Sequence, residues 1–461
     1  MTTNPELSLA VNGRERQLLT KLVIADGQGS TPAGTRTNAD EHTTATAAIV
    51  GLGYVGLPTA LALNASGCRT VGVDVSANRL RAIRAGEVDL IDADRETLAA
   101  ALVADTLRLG DDPSVLRDAD AVIICVPTPV DSEHVPELSA LRAACGAVVE
   151  HARVGQTIIL TSTTFVGTTR QMLVEPLRAR GLRVGVDVFV AFSPERIDPG
   201  NPDHVQHDTP RVVGGTTPAC ADRAAEVVSR MTDVVYLVSS PEAAEATKLY
   251  ENIFRAVTLA LANEFADVCG TLDLDPIEVT LAASTKPYGF LATLPGPGVG
   301  GHCIPCDPYY LLWQLEGRST SGAPLISEAM RAIDLRPGRV AERAAEVLAE
   351  TGGTLAGARV LVLGVSYKPG VRDLRESSAL PLIDQLLAAG AEVSYFDPLI
   401  PEIRLPGDRV MRGLPSARAE DWDLVIAHTL HPGIDYSWAA DCVRVLDATY
   451  RFDAAPHRAV V

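Results

Sequence analysis

Ala47-Ala-Ile-Val50 runs straight into Gly51-Leu-Gly53-Tyr54-Val55-Gly56, and Leu57–Ser66 follows as a largely apolar stretch. A short apolar run closed by glycine reads as a buried strand, and the longer run after it as a helix. G-x-G-x-x-G therefore stands in strand–turn–helix context. Thr70-Val-Gly-Val-Asp74 is a second strand ending in an acid. Glycines let the backbone approach a pyrophosphate, the helix N-terminus attracts its charge, and the acid suits ribose hydroxyls. Gly51, Gly53, Tyr54, Val55, Gly56 and Asp74 are thus expected to bind a dinucleotide. Asp74 favours NAD over NADP because a carboxylate repels a 2′-phosphate. Arg79 either accommodates that phosphate or stacks on the adenine.

Three further strands are expected downstream. Ala119–Pro129 ends at Pro127 and Thr128, Gln156–Thr164 ends at Thr163 and Thr164, and Phe189–Phe192 leads into Ser193-Pro-Glu195-Arg196-Ile-Asp198. Ligands of open α/β sheets bind where strands end, so Pro127, Thr128 and Thr163 belong to the cofactor crevice. The alternative for each hydroxyl is a helix N-cap. Glu195 fits an active-site base, with surface charge as the alternative.

The 461 residues are too many for one core, so two or three domains are expected. A net charge of -18 argues against nucleic acid or an anionic membrane as partner. No apolar run reaches the roughly 20 residues of a membrane span, and no signal peptide stands at the start. Eight scattered cysteines, several inside apolar runs, fit a reduced, cytoplasmic setting. Residues 1–46 read as a flexible extension with a short helix around Arg14–Ile24.

Pro295-Gly-Pro-Gly-Val-Gly-Gly-His-Cys-Ile-Pro-Cys-Asp-Pro308 holds four glycines and four prolines, which excludes a regular helix or strand. This rigid loop carries His302, Cys303 and Asp307. A thiol on a glycine-lined loop is open to substrate, so Cys303 reads as a nucleophile. Cys303 and Cys306 also form C-x-x-C, which a redox pair or half a zinc site would use. No second cysteine pair of matching spacing exists, so no metal is expected. Ahead of the loop, Pro241–Gly270 reads as one long helix, apolar on most sides and therefore buried, with Gly270 as its stop. Lys248, Asn252 and Arg255 share one of its faces. A second helix is expected at Pro276–Ser284.

A helix from Pro337 to Thr351 leads to a second α/β unit. Its strands are Gly357–Gly364, Glu392–Phe396, Leu424–His428 and Arg444–Asp447. The turn after its first strand carries Lys368, Arg372 and Arg375 and lacks G-x-G-x-x-G. It suits a phosphorylated ligand other than a dinucleotide. The fold expected is α/β, with two Rossmann-like doubly wound domains (47–240 and 351–461) joined by a central, mainly helical region (241–350).

These motifs together resemble the UDP-glucose/GDP-mannose dehydrogenase family. Gly51–Gly56, Cys125–Pro129, Ser162–Thr164, Ser193–Gly200, Ala244–Asn252, Gly296–Asp307 and Val365–Ser377 occur in its order and spacing. Thr285-Lys-Pro-Tyr-Gly-Phe290, followed by Gly-Gly-His-Cys-Ile-Pro, is most similar to the branch acting on UDP-N-acetylhexosamines, notably UDP-N-acetylglucosamine. The resemblance implies NAD-dependent oxidation of the sugar C6 hydroxyl to a carboxylate, through a thiohemiacetal and a thioester on Cys303. It implies that Lys248 and Asn252 stabilise oxygen-centred negative charge and that Glu195 moves protons during hydrolysis. Thr163 and Asp307 would hold the water and assist deprotonation. It implies substrate contacts from Glu195, Arg196, Arg255, Lys286, Tyr288, Gly300, Lys368 and Arg375. A homodimer built on the long helix is also implied, with Ala256, Ala260 and Ala262 allowing close approach of its twin.

The chain departs from the family pattern in several places. Thr161 stands for Glu, Val166 for Pro, Leu294 for Tyr, Cys306 for an aliphatic residue and Ile333 for Asn. Thr449 stands for an Arg near Asp447, where Arg451 could substitute. These leave the sugar open, with UDP-glucose as the alternative substrate. A two-electron hydroxyacid-type dehydrogenase and an inactive sugar-nucleotide binder are the other classes. NADH formed per substrate separates them: two, one or none.

Overall fold

The computed structural model describes residues 45–88, 90, 92–196, 207–318, 321–418, 422–455 and 458–461. The expected N-terminal extension and its short helix lie outside these, as do Ile197–Gly200 of the Glu195 loop.

Eight strands build the first sheet: β1 (Thr46–Val50), β2 (Arg69–Val73), β3 (Leu107–Gly110), β4 (Ala121–Ile124), β5 (Thr157–Leu160), β6 (Phe189–Phe192), β7 (Arg211–Gly215) and β8 (Val235–Val238). Their order is β3-β2-β1-β4-β5-β6-β7-β8. All neighbours are parallel except β6 and β7. Every residue of β4 and β5 is buried, as a strand covered on both faces requires. The order in which strands are added reverses between β1 and β4, the switch point where such sheets open a crevice. Helix α1 (Gly56–Ala65) starts at that point.

The second sheet has the order β10-β9-β13-β14-β15 and is parallel throughout. Its strands are β9 (Arg359–Leu363), β10 (Glu392–Phe396), β13 (Leu424–Ala427), β14 (Val445–Asp447) and β15 (Ala459–Val460). An antiparallel pair, β11 (Glu402–Leu405) and β12 (Arg409–Arg412), interrupts the series. Its switch point lies between β9 and β13.

Three helices matter between the sheets: α2 (Pro241–Thr271), α3 (Asp307–Leu315) and α4 (Pro324–Ala349). Ser240 caps α2 by accepting from the Ala243 amide. Gly270 does not end it. The helix runs one residue further and the left-handed Asp273, φ 55, turns the chain instead. Helix α4 begins at Pro324 rather than Pro337. Pro337 is a buried interior residue of a longer amphipathic helix. Tertiary packing of Ala329, Met330 and Ile333 ahead of it outweighs the lost amide bond.

Helix α2 is not buried all round. Ala244, Leu249, Ile253, Ala256, Ala260 and Ala266 face the chain's own core. Tyr250, Phe254, Leu261, Phe265 and Val268 are exposed along the opposite side. Ala256 and Ala260 pack on Met330 and Ile333 of α4 and so are not free for a twin helix. No described helix is long and apolar enough to cross a membrane.

Candidate active site

The glycine turn after β1 is forced by close packing. Gly51 has φ 88, and a Cβ there would lie 2.7 Å from the Cys125 carbonyl oxygen. A Cβ on Gly56 would lie 1.8 Å from the oxygen of Gly51. Asp74, half-buried at the end of β2, accepts from the Leu52 amide at 2.8 Å and the Ser76 amide at 2.8 Å. Arg79 donates to the Leu52 carbonyl at 2.8 Å, which pins it beside the turn. No side chain caps the first turn of α1. The helix N-terminus, the bare glycine turn and the reachable acid fit a dinucleotide pyrophosphate and ribose.

Beyond β4 and β5 the hydroxyls have separate duties. Thr128 is buried and donates to the Thr163 carbonyl at 2.7 Å, while Tyr310 donates to the Thr128 carbonyl at 3.1 Å. Thr164 pairs with Thr168 inside the protein, and Thr163 is half-buried at the crevice. The Val166 amide donates to Gln314 at 3.0 Å, a bond that the usual proline could not make. Glu245, buried on α2, accepts from the Gly167 and Thr169 amides and the Thr169 hydroxyl. Burial raises its pKa, and those three bonds oppose the rise.

Glu195 sits at the end of β6, buried. Its carboxylate pairs with Arg211, itself 1% exposed, and accepts from the Arg196 amide at 2.8 Å. Lys248 donates to the Glu195 carbonyl at 2.9 Å. Arg196 pairs with Glu251 and donates to the Pro210 carbonyl at 2.9 Å. Sequence reasoning missed Arg211. An arginine opening the otherwise apolar run Arg211-Val-Val-Gly-Gly215 is the signal that could have found it, since a buried guanidinium requires a partner.

Cys303 is exposed, and its carbonyl accepts from the Asp307 amide at 2.9 Å as α3 begins. Asp307 is buried. One carboxylate oxygen accepts from Asn252, and the other has no partner. Burial pushes Asp307 up to about 6, against the pull of Lys248 and Asn252. The surrounding protein and the Asp307 carboxylate raise the Cys303 thiol, while Lys248, Arg255 and Arg375 draw it down. A thiol raised above its ordinary 9.0 is protonated at neutral pH and needs a base. His302 is held neutral by burial and by Arg375, and its Nε2 has no partner.

The Cys303 loop is clamped from both sides. The Gly301 amide donates to the Arg375 carbonyl at 2.9 Å. A Cβ on Gly298, φ 152, would lie 2.4 Å from that of Ser378, and one on Gly300 would lie 2.6 Å from the Tyr367 Cβ. On the other side, Asn263 accepts from the Gly296 amide at 2.9 Å and Arg336 donates to the Gly296 carbonyl at 3.0 Å.

The remaining candidates are scattered. Lys368 and Arg375 lie on the loop after β9, where Asp373 pairs with Arg375 at 2.7 Å. Lys286 and Tyr288 stack on each other at 4.9 Å on an exposed loop. Ile333 is core packing around Ala256 and Ala260. Thr449 bonds Asp447 at 2.6 Å, and Arg458 at 2.9 Å, not Arg451, supplies the cation there.

Three family profiles match the chain in succession. They are the UDP-glucose/GDP-mannose dehydrogenase family NAD binding domain over residues 45–232, the central domain over 242–334 and the UDP binding domain over 361–456. A UDP-N-acetyl-D-mannosamine dehydrogenase of Escherichia coli (strain K12) is 32% identical over 85% of this chain and 94% of its own. The solved UDP-D-ManNAc dehydrogenase of Pyrococcus horikoshii superposes with TM-score 0.81 at 30% identity, over 90% of this chain and 98% of that one. A UDP-glucose dehydrogenase of Pyrobaculum islandicum superposes with TM-score 0.77 at 25% identity, over 94% and 98%. Two of these relatives are named for the mannosamine sugar, within the N-acetylhexosamines expected from residues 285–304 but not the N-acetylglucosamine singled out there.

Proposed function

The chain belongs to the UDP-glucose/GDP-mannose dehydrogenase family and is an NAD-dependent nucleotide-sugar dehydrogenase, and on that premise we propose that it oxidises the C6 hydroxyl of a UDP-N-acetylhexosamine to a carboxylate. The observation that supports this most is the meeting of Cys303, Asp307, Asn252 and Lys248 at one end of α2. NAD would be held at Gly51–Gly56 and Asp74, and when bound it would supply the acceptor for the hydride released in each of two rounds. In the first, a base takes the C6 hydroxyl proton as the hydride leaves, giving an aldehyde. Asp307, with one unpartnered oxygen and a pKa of about 6, takes the Cys303 proton. The sulfur adds to the aldehyde, and Lys248 and the Asn252 amide face the developing oxyanion. Loss of the second hydride leaves a thioester. Water then attacks its carbonyl, the thiolate departs, and the carboxylate is released. Glu195, paired with buried Arg211, accepts the proton of that water.

The test is NADH counted per sugar over a panel of UDP-hexoses and UDP-N-acetylhexosamines. Two per sugar, fastest with an N-acetylhexosamine, is expected. One per sugar would mean a two-electron enzyme, and a preference for UDP-glucose would move the substrate.

The protein also pairs with a second copy through α2. Tyr250 (70% exposed), Leu261 (62%) and Phe265 (43%) form an apolar stripe on its outer side. A stripe of that kind on a charged protein marks a contact surface. Light scattering at micromolar concentration should give at least twice the 48.7 kDa chain mass. A folded, active monomer would exclude it.

A further inference from the structure

Helix α3 carries Asp307, Tyr310 and Gln314 at helical spacing along one face. Each is tied to a different element. Asp307 accepts from Asn252 on α2, and the buried Tyr310 donates to the Thr128 carbonyl after β4 at 3.1 Å. Gln314 takes both polar groups of Val166 after β5. Its Oε1 accepts from the Val166 amide at 3.0 Å, and its Nε2 donates to the Val166 carbonyl at 2.7 Å. A backbone N–H only donates and a carbonyl only accepts, so these two partners fix which way the Gln314 amide faces. Asn would fall short by a methylene, and Glu would set a carboxylate against the Val166 carbonyl. The same helix starts just after the thiol, where the Cys303 carbonyl accepts from the Asp307 amide at 2.9 Å. From Asp307 to Gln314 the axis runs about 10 Å. Helix α3 is therefore a strut of fixed length between the thiol loop and the loop after β5.

We propose that Gln314 is a positioning residue: it holds Val166 so that the loop after β5 seats the nicotinamide half of NAD at a set place relative to the thiol. The inference rests on the reading of Gly51–Gly56 and Asp74 as the site of the pyrophosphate and the adenosine ribose. That reading puts adenosine over β1, β2 and β3, and the second nucleotide then crosses the switch point to β4, β5 and β6. The loop after β5 is shaped by bonds of its own. The Thr163 carbonyl accepts from Thr128 at 2.7 Å, Glu245 takes the Gly167 and Thr169 amides, and the Thr168 hydroxyl donates to the Phe165 carbonyl at 2.7 Å. Tyr310 joins the Thr128 end of this set to α3. Gln314 joins its middle, and beside it the Phe165 ring lies 5.5 Å from that of Trp313. Loss of the Gln314 amide therefore leaves the loop folded and loosens its middle against the strut. Hydride transfer is sensitive to misplacement of about an ångström. A loosened seat costs ring placement before it costs the fold, and the adenosine half, held on other strands, does not sense it.

The experiment is calorimetric titration of the full chain with NAD and with ADP-ribose, which keeps the adenosine and pyrophosphate and lacks the nicotinamide ring. Wild type should bind NAD about tenfold more tightly than ADP-ribose. Gln314→Leu should leave the ADP-ribose affinity within about twofold and bring the ratio down to about two, the fold-change that one net hydrogen bond carries. Gln314→Met removes the same two bonds with a slimmer side chain and gives the same readout should the leucine disturb folding. In the ligand-free variants, hydrogen exchange should quicken in the peptide spanning residues 163–169 and stay at the wild-type rate over residues 51–56. A merely structural role would weaken NAD and ADP-ribose alike and leave their ratio at the wild-type value, and that result overturns the proposal. A wild-type ratio of one overturns it too, because the loop would then hold no part of the nicotinamide half. ADP-ribose that fails to bind at all would sink the assignment of the glycine turn, and the inference with it.

Discussion

In the first α/β unit the amide of Leu52 bonds the carboxylate of Asp74 at 2.8 Å. In the last, the amide of Val365 bonds that of Asp397 at 2.7 Å. The backbone device is the same. Each acid follows the second strand of its unit, each ties down the turn after the first strand, and each turn opens with a glycine pressed on a carbonyl. A Cβ would lie 2.7 Å from Cys125 oxygen at Gly51 and 1.8 Å from Thr429 oxygen at Gly364. What surrounds the acids differs. Asp74 is half-buried and reachable. Asp397 is buried and also accepts from Leu399 and Ile400, and His431 lies 3.1 Å away. Burial alone would raise its pKa, but the His431 bond and the backbone amides outweigh it and hold it low. An acid so enclosed cannot bind ribose. The repeat therefore supplies one dinucleotide site and one site of another kind, with the thiol loop between them.

Removing the thiol should have the largest effect. If both units serve Cys303, Cys303→Ser lowers carboxylate formation by at least about a thousandfold, while Cys306→Ala, at a buried site outside the chemistry, stays within about threefold. Product analysis by chromatography reads both, and the reverse ranking would move the nucleophile. Next comes the enclosed acid. Asp397→Ala strands His431 and the amides of Val365, Ser366, Leu399 and Ile400, and it should cost about 3–5 kcal/mol of stability in urea unfolding. Its reachable counterpart should behave differently. Asp74→Ala should raise KM for NAD by about tenfold to a hundredfold, the worth of hydrogen bonds to a charged group, with a smaller change in stability. Equal losses of stability at the two positions would erase the distinction between the units. The smallest effect is on pH. Asp307 titrates at about 6, raised from 3.8 by burial. Below about 6 it is protonated and cannot take the thiol proton, so turnover should fall with pH through that value, and Asp307→Asn should lose this limb. Stability moves the other way. Between 3.8 and 6 the folded chain holds a proton that the unfolded chain has released, so this group's contribution declines as pH rises across the window.

The first unit was legible because its signals are local. Gly51–Gly56 and Asp74 follow from strand, turn and charge along a short stretch, and Phe189–Phe192 and Glu392–Phe396 were placed as they stand. Strand β8 is apolar but only four residues long, and the β11–β12 pair mixes charged with apolar residues over four positions each, so neither is long enough to show itself. Helix α4 was cut at Pro337, because propensity alone cannot see that Ala329 and Ile333 pack on α2. The partners of the site residues were the least visible. Arg211 meets Glu195 across the sheet, and Arg458, not Arg451, meets Asp447. Such pairings depend on where separate strands end, which no spacing along the chain encodes. Lys286 and Tyr288 came from resemblance, and they lie exposed on a loop, stacked on each other.

The close approach of Gly298 and Gly300 to Ser378 and Tyr367 has a practical consequence for engineering. Altering sugar preference by transplanting the Pro295–Pro308 segment from another enzyme would bring in a backbone shaped for a different opposing surface. Even one added methyl at Gly298 would lift the loop from its seat. The unit of exchange is therefore the pair, Pro295–Pro308 together with Val365–Ser378, and chimaeras that cut between them should fail more often than chimaeras that carry both.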